Sequence, residues 1–242
     1  TIRNNLKQGR GLQDFTILYR THAQSRAIEE AMIKHGLPYR ILGGVKFYQR
    51  REIKDILAYL RLAVNPNDLV SWDRIYNVPG RGIGQTTWQK IKEARKFPPE
   101  ADPPWAENIA ETIKNITPEL SIGQKQTIAL KSLAKFVEEL SQKSAELSPS
   151  RLIKYILQKT NYESYINDKS ADGEERWGNV KEILTATKKF DGPESGTPQD
   201  SLEKFLFQAT FSSAVILLTT QIFIEDMLQE ACDAIFAGDE AL

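Results

Sequence analysis

The sequence predicts a basic α/β unit followed by an all-helical one, and three observations carry that prediction. In the first hundred residues, short apolar runs alternate with amphipathic segments, the pattern of strand–helix units. A proline-dense stretch, with Pro98, Pro99, Pro103 and Pro104, then interrupts the chain. Beyond it, nearly every segment places its apolar residues at helical spacing.

Taken in order, Phe15 to Leu18 is a short apolar run ending in Tyr19 and Arg20, which predicts a strand over 15–19. Ser25 opens an amphipathic helix to His35, with Gly36 as its stop. Residues 37–44, Leu-Pro-Tyr-Arg-Ile-Leu-Gly-Gly, read as a second short strand closed by a glycine pair. Ile53, Ile56, Leu57, Leu60, Ala63 and Val64 define a helix from Arg51 to Val64, ended by Asn65-Pro-Asn-Asp68. A helix over Leu69–Tyr76 leads into the turn Asn77-Val-Pro-Gly-Arg-Gly-Ile-Gly84, then a helix opened by Thr86 or Thr87 running toward Lys96. After the break, helices are expected over 105–116, 122–144, 149–160 and 175–190, with Asn167–Gly173 as a polar loop. Residues 191–198 form a second linker, and Ser201 caps a short helix through Ala209.

Composition narrows the function classes. Of 242 residues, 40% are apolar and 26% charged, ordinary for a soluble globular chain. A single cysteine, Cys232, excludes a disulfide scaffold and fits a reducing cytoplasm. The two histidines, His22 and His35, have no metal-ligand spacing. Residues 1–14 lack the apolar core of a signal peptide, and the longest apolar run, Ala214–Ile224, is too short to span a bilayer. The net charge of zero conceals an asymmetry. Residues 1–96 hold 18 Lys and Arg against 8 Asp and Glu, an excess of ten, and the remainder is acidic by the same amount. An anionic partner for the basic part follows, unless the two parts simply attract each other.

Three local patterns suit a nucleic-acid machine. A ring and a planar cation, Tyr19 and Arg20, stand at a strand end, where α/β proteins bind ligands; the plain alternative is an ordinary strand before a surface helix. In the run Gly43–Asp55, Lys46, Arg50, Arg51 and Lys54 interleave with Phe47 and Tyr48, a composition fitted to phosphates and bases. The alternative there is that Phe47 and Tyr48 belong to the core. The third is Arg81-Gly82-Ile83-Gly84 before a helix start, where backbone N–H groups and the helix dipole favour phosphate, although glycines also serve tight turns generally.

Together these strings resemble the UvrD/PcrA/Rep group of superfamily 1 DNA helicases. Ile17-Leu-Tyr-Arg-Thr-His-Ala-Gln-Ser-Arg26 is similar to that family's motif IV, and Pro38 to Arg61 to the segment after it. Asn65-Pro-Asn-Asp68 and Asn77–Gly84 continue in register; Arg176, Asn179, Glu182 and Leu184-Thr-Ala-Thr187 match a later helix. The resemblance implies an incomplete RecA-like parallel α/β motor domain (2A) over 1–114, an all-helical 2B-like subdomain over 115–212, and a divergent tail over 213–242 that returns to 2A or not. It further implies that Tyr19 stacks on adenine and that Arg20 reaches the γ-phosphate of ATP as an arginine finger. Lys46, Arg50, Arg51, Lys54, Arg81, Gly82, Ile83 and Gly84 would face DNA at a single-strand/duplex junction.

The departures restrict the expected activity. No Gly-x-x-x-x-Gly-Lys-Ser/Thr loop and no Walker B-like acidic pair occur, and His22 stands where the family more often has Asn. ATP with Mg2+ is therefore expected only in a complete helicase, with this chain inactive alone and partnered by the missing motor half or another repair protein. The alternative expectation is a non-catalytic regulatory module that docks on a helicase or repair partner.

Overall fold

The computed structural model describes residues 2–212 apart from 43, 95–108, 117, 193 and 195. The proline-dense break and the tail 213–242 thus lie outside the described residues. The chain forms helices α1 (Ile2–Leu6), α2 (Ser25–Lys34), α3 (Arg51–Val64), α4 (Leu69–Ile75), α5 (Gln85–Ala94) and α6 (Ile109–Lys114). There follow α7 (Gln124–Glu146), α8 (Pro149–Thr160), α9 (Tyr162–Ile166), α10 (Ala171–Thr187) and α11 (198–212). None of the described helices is long and apolar enough to cross a membrane.

Helix α3 is the axis. It buries Ile53, Ile56, Leu57, Ala58, Tyr59, Leu60, Leu62 and Ala63, so apolar contacts surround it rather than lining one stripe. Helices α4, α7, α8 and α10 pack on it. At about 1.5–3 kcal/mol for each fully buried aliphatic side chain, this helix anchors the hydrophobic energy of the fold. The core is one cluster from Phe47 to Ala209, and it passes through Ile109 and Ile113 of α6 into Leu130 and Val137 of α7 without a break at 114/115.

Local chemistry sets the helix ends. Asp68 accepts from the N–H groups of Val70 and Ser71 and caps α4. Pro149 occupies the first turn of α8, and Asn161 in the left-handed region (φ 48°) ends it. At α11, Thr197 and Asp200 cap reciprocally: the Asp200 N–H donates to Thr197 Oγ1 and the Thr197 N–H to the Asp200 carboxylate. Ser201, expected as that cap, is instead buried and donates to the Thr197 carbonyl. The loop expected at 167–173 is shorter, because the Ser170 side chain accepts from the Gly173 N–H and starts α10 at Ala171.

The two expected strands are not formed: the described residues are mostly helical and contain no strand. A strand exists only as one side of a hydrogen-bonded ladder. Phe15 has extended angles (φ −114°, ψ 131°), but the run it opens has no partner strand among the described residues. Leu18 is 90% exposed and Leu42 75%, so these apolar residues are not covered by a sheet or by helices. The RecA-like α/β organisation is accordingly not seen in the described residues.

Polar groups carried into this core are mostly partnered, the exceptions among the described residues being the Nε atoms of Arg74 and Arg176. Arg50 donates from Nη1 to Asn179 Oδ1 (2.7 Å), from Nη2 to Ser25 Oγ (2.8 Å) and from Nε to the Val45 carbonyl (3.1 Å). Asn179 Nδ2 in turn donates to Glu52 Oε1 (2.7 Å). Asp55, 2% exposed, pairs with Arg74 (2.8 Å) and accepts from the Tyr162 hydroxyl (2.7 Å).

Two outcomes follow from this packing. Asn179→Leu leaves Arg50 and Glu52 each short of a buried partner, and urea unfolding should show a loss of about 2–4 kcal/mol. The second concerns alkaline pH. Burial, then a neighbouring carboxylate, raises the phenol pKa of Tyr39 (Glu29), Tyr48 (Glu30) and Tyr162 (Asp55). The folded chain therefore keeps protons that an unfolded tyrosine releases near pH ~10, so the stability they contribute is complete below that pH and is lost as pH rises above it. Ultraviolet titration should show these phenols ionising only together with the loss of helical circular dichroism; independent ionisation of all three in the folded chain would refute this.

Candidate functional site

The residues singled out in the sequence fall in three places. The first is the segment 19–24. Gln24 folds its side chain back so that Oε1 accepts from the N–H groups of Arg20 (3.0 Å) and Thr21 (3.3 Å), which turns the chain into α2. Tyr19 is half-buried beside Arg50, and Arg20 is exposed. This segment packs on α10, and the Arg26–Glu182 ion pair (2.7 Å) fastens the start of α2 there. So the ring is held and the cation is presented.

The second place is the cationic run, which the fold divides. Phe47 (0% exposed) and Tyr48 (6%) belong to the core, so neither ring offers a face to a base. Glu29 beneath them accepts from the Phe47 N–H and the Tyr39 hydroxyl. Arg50 is inside as well; burial lowers its pKa, opposed by Glu29, Glu52, Glu175 and Tyr19. Lys46 is partly covered, its ammonium 5.9 Å from the centre of the Tyr39 ring, and burial lowers its pKa against the pull of Glu29. Only Arg51 and Lys54 face outward. The Arg51 guanidinium lies over the Tyr165 ring and donates to its hydroxyl (2.7 Å).

The third place is the turn 77–84. Asn77 Oδ1 accepts from the N–H groups of Arg81 (2.6 Å) and Ile83 (3.3 Å). Arg81 reaches back under the turn, donating to the carbonyls of Ile75 (2.9 Å) and Pro79 (3.0 Å) and to the Tyr59 hydroxyl (2.6 Å). Ile83 is fully buried. Below it, Tyr76 and Trp88 stack with ring centres 5.0 Å apart and planes within 3°, and Trp88 donates to Asp73. Gly82 lies in the left-handed region (φ 70°), and a Cβ at Gly80, Gly82 or Gly84 would meet no atom within 4 Å. The turn is thus braced from inside and open outside, where the first N–H groups of α5 lack intrahelical acceptors. In general, backbone N–H groups left open at a helix start favour an anion.

The sequence that makes these contacts matches a known family. The family described as UvrD-like helicase C-terminal domain matches residues 1–224. The chain belongs to that family. It is 42% identical over 183 residues to the ATP-dependent DNA helicase PcrA of Bacillus subtilis, covering 75% of this chain and 24% of the relative. It is 32% identical over 209 residues to DNA helicase II of Escherichia coli, covering 85% of this chain and 28% of the relative. The chain therefore corresponds to a C-terminal portion of UvrD/PcrA-type helicases and spans about a quarter of the length of these relatives.

Sequence reasoning placed Asn77 in the turn but missed its role as the brace, and it missed Tyr165 altogether. Asn77 had a signal, since Asn ahead of a Pro-Gly turn commonly bonds backbone N–H groups. Tyr165 lies 114 residues from Arg51, and no local pattern joins them.

The turn makes a direct prediction. Gly82→Ala forces a side chain into the left-handed region and should cost about 1–2 kcal/mol in denaturant unfolding. Gly84→Ala meets open space and should leave stability unchanged; equal losses in both variants would refute this account of the turn.

Proposed function

We propose that this chain is the DNA-gripping and nucleotide-sensing portion of a UvrD-type helicase. The observation that carries the reading is the braced, outward-open glycine turn at the start of α5. Gly82 and Gly84 contact the sugar–phosphate backbone of DNA near a single-strand/duplex junction. Arg51 and Lys54 add charge, while Arg50, Arg81 and Ile83 hold the shape of the surface from inside. The run 15–19, with Ile17 and Leu18 exposed, takes its place in a sheet completed by the rest of the helicase, and the division of roles near 114/115 follows the two subdomains of that family.

The residues present fit half of an ATP site. Tyr19 would supply a ring for adenine to stack on, and the exposed guanidinium of Arg20 would neutralise the γ-phosphate. No group of acidic or histidine side chains suited to a metal occurs among the described residues, and no phosphate-binding Gly-Lys-Ser/Thr loop occurs in the 242 residues. ATP with Mg2+ would be held chiefly by the other motor half, so this chain alone does not turn over.

Fluorescence anisotropy with a duplex carrying a 3′ single-stranded tail tests the DNA part. Affinity should fall steeply with added salt, and Gly84→Asp, which sets a carboxylate against phosphate without crowding the fold, should weaken binding at least ~10-fold at low salt. Absence of binding at low salt, or binding indifferent to salt, refutes it. With a P-loop half supplied, Arg20→Ala should cut DNA-stimulated ATP hydrolysis by about 10³-fold or more; unchanged hydrolysis removes Arg20 from the role.

A further inference from the structure

A second cationic surface lies apart from the glycine turn, where the ends of α1 and α2 meet. Both helices end in the same way. Gly9 (φ 89°) closes α1, with the Gly9 N–H donating to the Leu6 carbonyl and the Arg10 N–H to the Asn5 carbonyl. Gly36 (φ 63°) closes α2, with its N–H donating to the Ile33 carbonyl and the Leu37 N–H to the Met32 carbonyl. Arg3 then ties the two ends together by donating to the His35 carbonyl (2.9 Å). Arg3 lies in α1 and Lys7 directly follows its last residue; the Arg10 backbone is folded back onto the end of that helix, and Lys34 ends α2.

All of these cations are exposed, as is Arg40 just beyond. Their number exceeds what the fold uses. Residues 1–40 hold seven Lys and Arg against three acidic residues. Of those three, Glu29 is buried, Glu30 is paired with Arg26, and Asp14 accepts from the Gly11 N–H. Two helix C-termini favour a cation each, but only by a fraction of a charge, which leaves a surplus with no counter-charge nearby in the sequence.

We propose that Arg3, Lys7, Arg10 and Lys34 form an accessory contact for the phosphate backbone of a nucleic-acid strand, separate from the turn 77–84. The inference rests on the DNA-binding reading above. Exposed point cations spread over two joined helix ends suit a chain of repeating monoanions better than a single small anion, which needs converging donors. Residues 1–10 and 31–36 contain no Phe, Tyr or Trp, so the contact reads charge and not base sequence.

The triple variant Lys7→Gln, Arg10→Gln, Lys34→Gln tests it on the 242-residue chain, because none of these side chains bonds a described residue and the fold is left intact. The probe is a fluorescent oligo-dT strand, with affinity measured across a range of KCl concentrations. Each lost phosphate contact should lower the slope of log K against log salt by about 0.7, so the triple variant should lose about 2 in slope and bind more weakly at low salt. If the unmodified chain binds and the triple variant keeps its slope, this contact is overturned while the glycine-turn reading stands. If the unmodified chain does not bind at all, both are overturned. If the substitutions instead abolish a salt-sensitive self-association with DNA binding unchanged, the surface faces the acidic half of another copy and the proposal is overturned.

Discussion

The contact on which most of the structure depends is Arg50 to Asn179 to Glu52. A guanidinium and a carboxylate from the start of α3 enter the core together, and the amide of Asn179 on α10 satisfies both. Arg50 also reaches Ser25 and the Val45 carbonyl, so one side chain joins α2, the loop before α3, and α10. Buried charges tolerate few arrangements, because each unpaired donor or acceptor loses its water without compensation. That intolerance locks the segment 19–24 against α10, where apolar packing alone would allow sliding.

The placement of segment 19–24 is a consequence of that lock. Tyr19 sits beside Arg50 at one end of the network, and Arg20 leaves it for the surface. The glycine turn depends on a separate brace with the same logic. Arg81 is turned inward to carbonyls and Tyr59, and Asn77 takes the N–H groups of Arg81 and Ile83, so the outer edge consists of glycine backbone. In both places a residue type associated with anion binding serves to shape the surface, while its neighbours face the solvent.

Much of the helical fold was legible in the sequence. The spacing of Ile53, Ile56, Leu57 and Leu60 marked α3, and Pro149 marked the start of α8, because these features act over a turn or two. The strands were not legible as such. Phe15–Leu18 has the composition of a strand, but a strand requires a neighbour, and composition does not say whether one is present. The cations were misjudged for a related reason. Lys46, Arg50, Arg51 and Lys54 read as one patch, yet burial depends on where α10 and Tyr39 lie, so two of the four are drawn in.

By itself the sequence determined the family, the existence of most of the helices, the charge excess of the first hundred residues and the identity of the glycine turn, all of which are written in local spacing and residue type. Only the tertiary structure decided which cations and rings face outward. The physical reason is desolvation. A side chain is available to a ligand only if no distant partner has already replaced its water, and the partners that did so here, Asn179 for Arg50 and Tyr59 for Arg81, are brought near by the fold.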